Sequence, residues 1–380
     1  MTTLYATTAL GTENVTAAEL NGLGLRPRPG RGAVGFDVPA GGELASAMRA
    51  CLHLRTAMRV LWPLAEFPAT DADSLYEGAR GAEWERALDA RTTFAISATT
   101  SAPPPLAHAP FLIQRVKDAV CDRLRDKLGA RPDVAREDPD VRLYVHVRRG
   151  RAAVGLDVSG ESLGLRGYRA AQTEAPLKET LAASIILLSQ WDGERPFIDP
   201  MCGSGTLAIE ASAIARRVAP FLMAAGERRP GCARWLGFGD AEARVWRQLV
   251  EEARAAERPA PGPITGSDRD PQAIAAAQRN AAASRVGDGL VWRPADVRAL
   301  APSRPPALIV TNPPYGERLA QPGLEGFWRG LGAHLRTLAG HRAYLLAPPD
   351  RLRWLGMRPA WEQRLKNGPL DVTLARYELR

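Results

Sequence analysis

Phe197-Ile-Asp-Pro-Met-Cys-Gly-Ser-Gly-Thr206 decides how the rest of the chain is read. The short apolar run ending at Ile198 predicts a buried strand that delivers Asp199 to a glycine-rich turn. Leu207-Ala-Ile-Glu-Ala-Ser-Ala-Ile-Ala215 then continues at helical spacing. Strand, glycine turn and helix in that order form a nucleotide-type cradle. The glycines let the backbone approach a ligand, and the helix N-terminus presents free amide donors. The acid precedes Gly-Ser-Gly, so this is not the G-x-G-x-x-G of a dinucleotide fold.

Outward from this turn, strand–helix alternation runs toward the C-terminus. Strands are predicted at 196–200, 263–268, 290–296, 307–312 and 342–347, with helices at 205–217, 271–284 and 324–339. The alternation implies a mostly parallel, doubly wound α/β sheet. Trp361–Leu379 breaks the pattern with two strand-like runs around Asn367-Gly368, a hairpin turn pair. Before the glycine turn, Pro176 opens a helix that Thr173 can cap, with Leu177, Leu181, Ile185 and Leu188 inward. Residues 218–262 are too long for a helix-to-strand loop. They hold a helical stretch, Asp240 to Glu257, with Trp235, Phe238 and Trp246, and read as an insertion packed beside the active-site face. A helical decoration with its own small core is the alternative.

The N-terminal part has a different rhythm. Leu4–Thr8 and Ala33–Val38 read as strands. Glu13–Leu23 reads as a helix with Val15, Leu20 and Leu23 inward, and Leu44–Val60 as a second with Met48, Leu52 and Met58 on its apolar face. Arg91–Ala98 is a strand, and Phe111–Leu128 a helix with Leu112, Val116, Val120 and Leu124 at four-residue spacing. Its other face mixes Arg115, Lys117, Arg123, Arg125 and Lys127 with Asp118, Asp122 and Asp126, which favours a solvated, ion-paired face over an RNA-binding ridge. Val141–Val147 and Ala153–Val158 pair around Arg148-Arg-Gly-Arg151, an exposed turn suited to phosphate. The expected division is 1–49 and 50–158 as α+β modules, 159–190 as a linker and helix, and 191–380 as the doubly wound domain.

The 380 residues allow two or three cores, and no apolar run reaches membrane-spanning length. Met-Thr-Thr-Leu-Tyr5 lacks the regions of a signal peptide. The four cysteines are dispersed with no C-x-x-C, so neither zinc nor a disulfide framework is indicated and the cytoplasm is the expected compartment. The net charge of +8 sits mostly in the C-terminal part: residues 1–160 carry 20 basic and 19 acidic residues, and 161–380 carry 30 and 23. A basic chain favours an anionic partner, most often nucleic acid.

Four predicted strands end in polar residues: Asp199, Asp268, Asp296 and Asn312. Ligands of such sheets bind at these carboxyl ends. Asp270, before Pro271, reads as a helix cap. The acid-then-Gly-Ser-Gly order resembles motif I of class I S-adenosylmethionine (SAM) methyltransferases, where an acid faces a cationic sulfonium ligand. In that frame Asp268 suits two ribose hydroxyls and Asp296 an adenine amino group. Thr311-Asn-Pro-Pro-Tyr315 suits an exocyclic amine on a nucleobase. The Asn312 oxygen and a carbonyl freed by Pro313 accept its hydrogens, and Tyr315 stacks on the base.

Taken together, Arg166-Gly-Tyr-Arg169, Glu174-Ala-Pro-Leu-Lys-Glu179, Asp199–Thr206, Gly266-Ser-Asp-Arg-Asp-Pro271, Thr311–Leu319 and Lys366-Asn-Gly368 resemble the bacterial THUMP-domain RNA methyltransferases of the RlmL type. The resemblance is dense from 160 to 380. It implies a ferredoxin-like piece, a THUMP RNA-binding domain and a Rossmann-like class I methyltransferase domain with a seven-stranded sheet. The implied activity is N2-methylguanosine formation in 23S (large-subunit) ribosomal RNA, by a monomer or weak dimer. The cofactor set it implies is Pro176, Lys178, Glu179, Asp199, Pro200, Met201, Cys202, Gly203, Ser204, Gly205, Thr206, Asp268, Arg269, Asp296, Val297 and Asn312. Asn312, Pro313 and Tyr315 are the catalytic candidates, Arg148, Arg149 and Arg151 the RNA contacts, and no metal is expected. Many relatives fuse a second methyltransferase downstream, making 7-methylguanosine; this chain is expected to lack that activity. Residues 218–262 match the family only loosely. The competing readings are an adenine-N6 DNA methyltransferase, a transfer-RNA guanine-N2 methyltransferase, and a ribosome-assembly factor with a vestigial pocket.

Overall fold

The computed structural model describes residues 1–171, 177–301, 306–315 and 323–380. Its N-terminal part runs β1 (Thr2–Thr8), α1 (Glu13–Gly22), β2 (Arg26–Pro29), β3 (Ala33–Val38), α2 (Glu43–His53), β4 (Ala57–Pro68), α3 (Ala72–Gly81), β5 (Thr93–Thr100), α4 (Ala109–Leu128), β6 (Asp133–Val134), β7 (Val141–Arg148) and β8 (Arg151–Asp157). These strands form one eight-stranded sheet in the order β2-β3-β1-β4-β8-β7-β5-β6. Strand β1 shows why one face is covered: Leu4, Ala6 and Thr8 are buried, while Thr3, Tyr5 and Thr7 are partly exposed.

Strand β4 joins the two N-terminal modules. Tyr5–Thr8 of β1 pair with one end of it, and β8 pairs along the rest, from Leu61 with Asp157 to Pro68 with Arg151. The reading of Leu44–Val60 as one helix is corrected here, and Met58 lies on a strand. The helix stops because the Glu19 carboxylate captures the Arg55 and Thr56 amides at 2.9 and 3.0 Å, donors that a continuing helix needs. Pro63 is tolerated within β4 because a bulge falls between it and Ala65.

The C-terminal part contains α5 (Glu179–Leu188), β9 (Phe197–Asp199), α6 (Thr206–Ala215), α7 (Asp240–Ala255), β10 (Ile264–Asp268), α8 (Pro271–Ala282), β11 (Leu290–Pro294), β12 (Leu308–Thr311), α9 (Leu324–Leu335), β13 (Arg342–Ala347), α10 (Pro349–Arg353), β14 (Trp361–Asn367) and β15 (Leu370–Glu378). Its seven-stranded sheet has the order β11-β10-β9-β12-β13-β15-β14, parallel except for β15 and its partners. Alternate residues serve two cores. Phe197, Leu308, Val310, Tyr344 and Leu346 pack with Leu181 and Ile185 of α5 and Leu207 and Ala211 of α6. Ile198, Ile309, Ala343, Leu345 and Ala347 pack with Trp328, Leu331 and Leu335 of α9. Each large apolar side chain so buried contributes about 1.5–3 kcal/mol. A sheet covered on both faces needs nearly continuous apolar strands, which is what 308–311 and 343–347 supply.

The C-terminal hairpin turns one residue later than the sequence pattern indicates. Asn367 pairs with Leu370, so the turn residues are Gly368, at φ +60°, and Pro369. Glycine supplies the positive φ of the first turn position and proline the fixed negative φ of the second.

The 218–262 segment builds no separate core among the described residues, which corrects its reading as a decoration: Val218 and Met223 pack with Ile209 and Ala213 of α6 and Ala281 of α8, and the rest packs on the N-terminal sheet. Phe221, Trp235, Trp246 and Leu249 join the core built by β1, β4, β7 and α2. Trp235 lies 6.5 Å from Trp62 of β4, and Phe221 meets Trp246 edge-on at 5.5 Å.

Candidate active site

Strand order reverses between β9 and β12, the point at which doubly wound sheets place their ligand crevice. Backbone pairing between them ends at Ile309 with Ile198. Beyond that point a side chain makes the connection: the Thr311 hydroxyl donates to Asp199 Oδ1 at 2.9 Å. Asp199 is 1% exposed and also accepts from the Met201 amide at 3.3 Å. Burial pushes its carboxyl up to about 7, opposed by the Thr311 hydrogen bond and the Met201 amide and reinforced by the nearby Asp268 charge.

The glycine turn is tied to the next strand. Asp268, at the end of β10, accepts from the Gly203 amide at 2.9 Å and from the Asp270 amide at 3.0 Å. Asp270 in turn caps α8 through the Gln272 amide at 2.8 Å. Gly205 stands at the N-terminus of α6 with φ +85°, and a Cβ there would lie 2.7 Å from the Trp292 ring and 2.9 Å from Ala277. Pro200, Cys202, Ser204 and Thr206 are buried along the turn, and Met201 and Gly203 partly so. The Cys202 thiol is pushed up by burial and by the Asp199 and Asp268 charges, which disfavours the thiolate.

A second wall comes from the segment before α5. Arg169 donates from Nε to Glu179 Oε1 at 2.9 Å, and from Nη2 to the Leu177 carbonyl at 3.1 Å and Thr206 Oγ1 at 3.4 Å. Lys178 is exposed at the cap of α5. Pro176 and Thr173 lie outside the described residues. Asp296 caps a short 3-10 turn, Val297–Ala299, and pairs with Arg298 at 2.7 Å, which with the Arg298 amide holds its carboxyl down to about 2. Val297 is buried beside it, and Arg269 is exposed after β10.

Asn312 follows Thr311 directly. Its Oδ1 is buried and has no hydrogen-bond partner among the described residues. A buried amide oxygen left unpaired costs about 1–3 kcal/mol, so it marks a place where a donor is wanted. Pro313 is buried, and the Tyr315 hydroxyl accepts from Asn367 Nδ2 at 3.0 Å. Arg148, Arg149 and Arg151 stand apart from this crevice, at the β7–β8 turn of the other sheet.

Sequence reasoning missed several supports. Asn280 of α8 is buried and ties the Ser204 carbonyl (3.0 Å) to Ala171, whose amide it accepts at 2.8 Å and whose carbonyl it meets at 3.0 Å. A lone Asn in the alanine-rich run 273–282 is the signal that could have found it. Thr311 and Asn367 stood inside motifs read from the sequence, but neither was given a role of its own. Among the described residues no group of three or more His, Cys, Asp or Glu is placed to hold a metal ion, and no helix is long and apolar enough to cross a membrane.

The sheet order, the glycine turn and the polar strand ends define a class I methyltransferase domain. More narrowly, the chain belongs to the family of RMKL-like methyltransferase domains, whose model matches residues 166–375. A THUMP domain matches 69–157 and an RlmL ferredoxin-like domain 3–61. The ribosomal RNA large subunit methyltransferase K/L of Syntrophotalea carbinolica is 40% identical over 99% of this chain and 53% of its own length. The chain thus spans about half the length of the curated relatives it matches. Among solved structures, SMU.472 complexed with SAH is 28% identical, with a TM-score of 0.88 over 100% of this chain and 98% of its own. A protein of Listeria monocytogenes described as a predicted N6-adenine-specific DNA methylase is 29% identical, with a TM-score of 0.85 over 99% of this chain and 96% of its own.

Proposed function

We propose that the chain is a SAM-dependent RNA methyltransferase that forms N2-methylguanosine in large-subunit ribosomal RNA, working in the cytoplasm as a monomer or weak dimer. The observation that carries the reading is the buried Asn312 Oδ1, without a hydrogen-bond partner among the described residues, at the strand end beside the Asp199–Thr311 pair. The match to a THUMP domain and the naming of the relatives support RNA as the substrate.

On this reading the ferredoxin-like piece comes first, the THUMP domain runs to 158, and 191–380 is the catalytic domain, entered through 159–190; the boundary expected at 49/50 falls inside α2, and the matched ranges move it to 61–69, within and just after β4. The Asp199–Thr206 turn, Asp268, Arg269, Asp296 and Val297 hold SAM, with Lys178 and Glu179 on its methionine side. The glycine cradle and the buried Asp199 fit a ligand with a cationic sulfonium. When bound, SAM supplies an electrophilic methyl group. Asn312 Oδ1 and a carbonyl beside Pro313 accept the two amine hydrogens, which turns the nitrogen lone pair toward the methyl carbon. Tyr315 stacks on the flipped base. SAM held there would pass its methyl group to that nitrogen, the sulfur keeping the bonding pair, and the surplus proton would leave to solvent. Arg148, Arg149 and Arg151 contact RNA phosphates.

The test is transfer of labelled methyl groups from SAM to total RNA of a strain lacking the protein, followed by nucleoside analysis and fragment mapping. Label in N2-methylguanosine of 23S RNA is expected. Label confined to transfer RNA, N6-methyladenine formed on DNA, or SAM binding without transfer would each overturn the reading.

A further inference from the structure

We propose that Asn367 is a positioning residue for Tyr315, and that the β1–α1 turn of the N-terminal sheet sets where Asn367 stands. The inference rests on the reading of Tyr315 as the residue that holds the base. Three contacts in series carry it.

Tyr315 is partly buried between the two cores that flank the seven-stranded sheet, and its ring touches both. Those apolar contacts limit the ring's tilt but leave the hydroxyl to be fixed by a polar group. Asn367 Nδ2 supplies it, donating to the phenol oxygen at 3.0 Å. With the oxygen accepting, the phenol proton points elsewhere, and burial keeps the hydroxyl neutral.

Asn367 is itself held in place. It is the last residue of β14, paired with Leu370 across the Gly368-Pro369 turn, so its side-chain direction follows from the hairpin register. β14 is an edge strand: β15 pairs on one side, and on the other the β1–α1 turn covers part of the edge. The Lys366 amide donates to the Leu10 carbonyl at 3.1 Å, and Gln363 Nε2 to the Gly11 carbonyl at 3.2 Å. Gly11 has φ +92°, and a Cβ there would lie 2.2 Å from the Arg364 carbonyl oxygen. Only glycine allows this approach. Leu10–Gly11, Gln363–Lys366, Asn367 and Tyr315 therefore form an unbroken line from the N-terminal sheet to the Asn312–Tyr315 strand end.

A double-mutant cycle with single-turnover methyl transfer at saturating SAM and RNA tests this. Asn367→Ala is expected to slow transfer about five- to tenfold, the effect of losing one hydrogen bond, with SAM affinity unchanged. On a Tyr315→Phe background the same substitution is expected to add no further loss, because the bond is already gone. Asn367→Asp, whose carboxylate accepts from the phenol instead, is expected to recover most of the rate. Equal losses on both backgrounds, or no loss on either, would overturn the assignment. The 13Cζ NMR resonance of Tyr315, assigned with Tyr315→Phe, is expected to move in Asn367→Ala and, more weakly, in Gly11→Ala; unmoved resonances would also overturn it. That readout needs no activity. A wild-type protein that methylates no RNA would defeat the proposed function while leaving this inference to stand or fall on the resonance.

Discussion

Helix α4 and the strand end Thr311–Tyr315 both advertise chemistry in sequence, and the folded chain treats them in opposite ways. Four of the five basic residues on α4 are spent on acids: Arg115 on Asp73, Lys117 on Asp118, Arg123 on Glu85 and Arg125 on Asp122. Arg80 of α3 returns the favour to Asp126. At the strand end a single uncharged atom, Asn312 Oδ1, is buried with no partner among the described residues. Charge density is thus a poor guide to a site, because surface ion pairs cancel locally and are worth about 0–1 kcal/mol each. An unpaired group inside the protein is a better one, because folding has accepted its cost for some return elsewhere.

The contrast can be broken most severely at Asn312. Asn312→Ala is expected to lower the single-turnover methylation rate by about a hundredfold, the scale of losing substrate orientation, with SAM affinity within about twofold; an unchanged rate would remove the strand end from the chemistry. Asp268→Ala is expected to do the converse. Isothermal titration should show SAM binding weaker by about tenfold, about 1.4 kcal/mol, while the rate at saturating SAM is kept.

Asp199 supplies a pH test. Its folded carboxyl titrates at about 7, against 3.8 for a free one, so between those values the folded state holds a proton that the unfolded chain has lost. Stability therefore falls as pH rises through that window. A cationic ligand favours the ionised form, so SAM affinity is expected to rise severalfold from pH 6 to 8 and to level off above; Asp199→Asn should abolish the slope. The smallest effect belongs to α4. Arg125→Glu is expected to change RNA affinity by less than about twofold, whereas reversing Arg148, Arg149 and Arg151 together should flatten its salt dependence by about one unit of slope per lost phosphate contact. Equal effects at the two places would erase the distinction.

What was legible in the sequence follows the range of the interaction that decides it. The parallel sheet was legible because strands covered on both faces need continuous apolar runs, and 308–311 and 343–347 have them. The strand-end acids were legible because each is followed by a glycine or proline turn or a cap within a few residues. Strand β4 was not, since the end of α2 is imposed by Glu19, 36 residues upstream of Arg55. The place of 218–262 was equally hidden: Trp235 and Trp246 are bound to be buried somewhere, but nothing local says that Trp62 is the neighbour. Asp199 was read as a ligand-facing acid, yet its links to Thr311 and Met201 emerge only when β9 and β12 lie side by side.

Strand β4 has one more implication. Because its two ends are stitched into β1 and β8, the N-terminal pieces have no hinge of their own between them; bending one against the other would tear a shared ladder. The Arg148–Arg151 tip and the β1–α1 turn therefore sit on a common caliper, one jaw at the outer hairpin and the other braced against the strand that carries Asn367. On the proposed function, a span fixed in this way would select an RNA by the distance between its backbone and its target nucleotide.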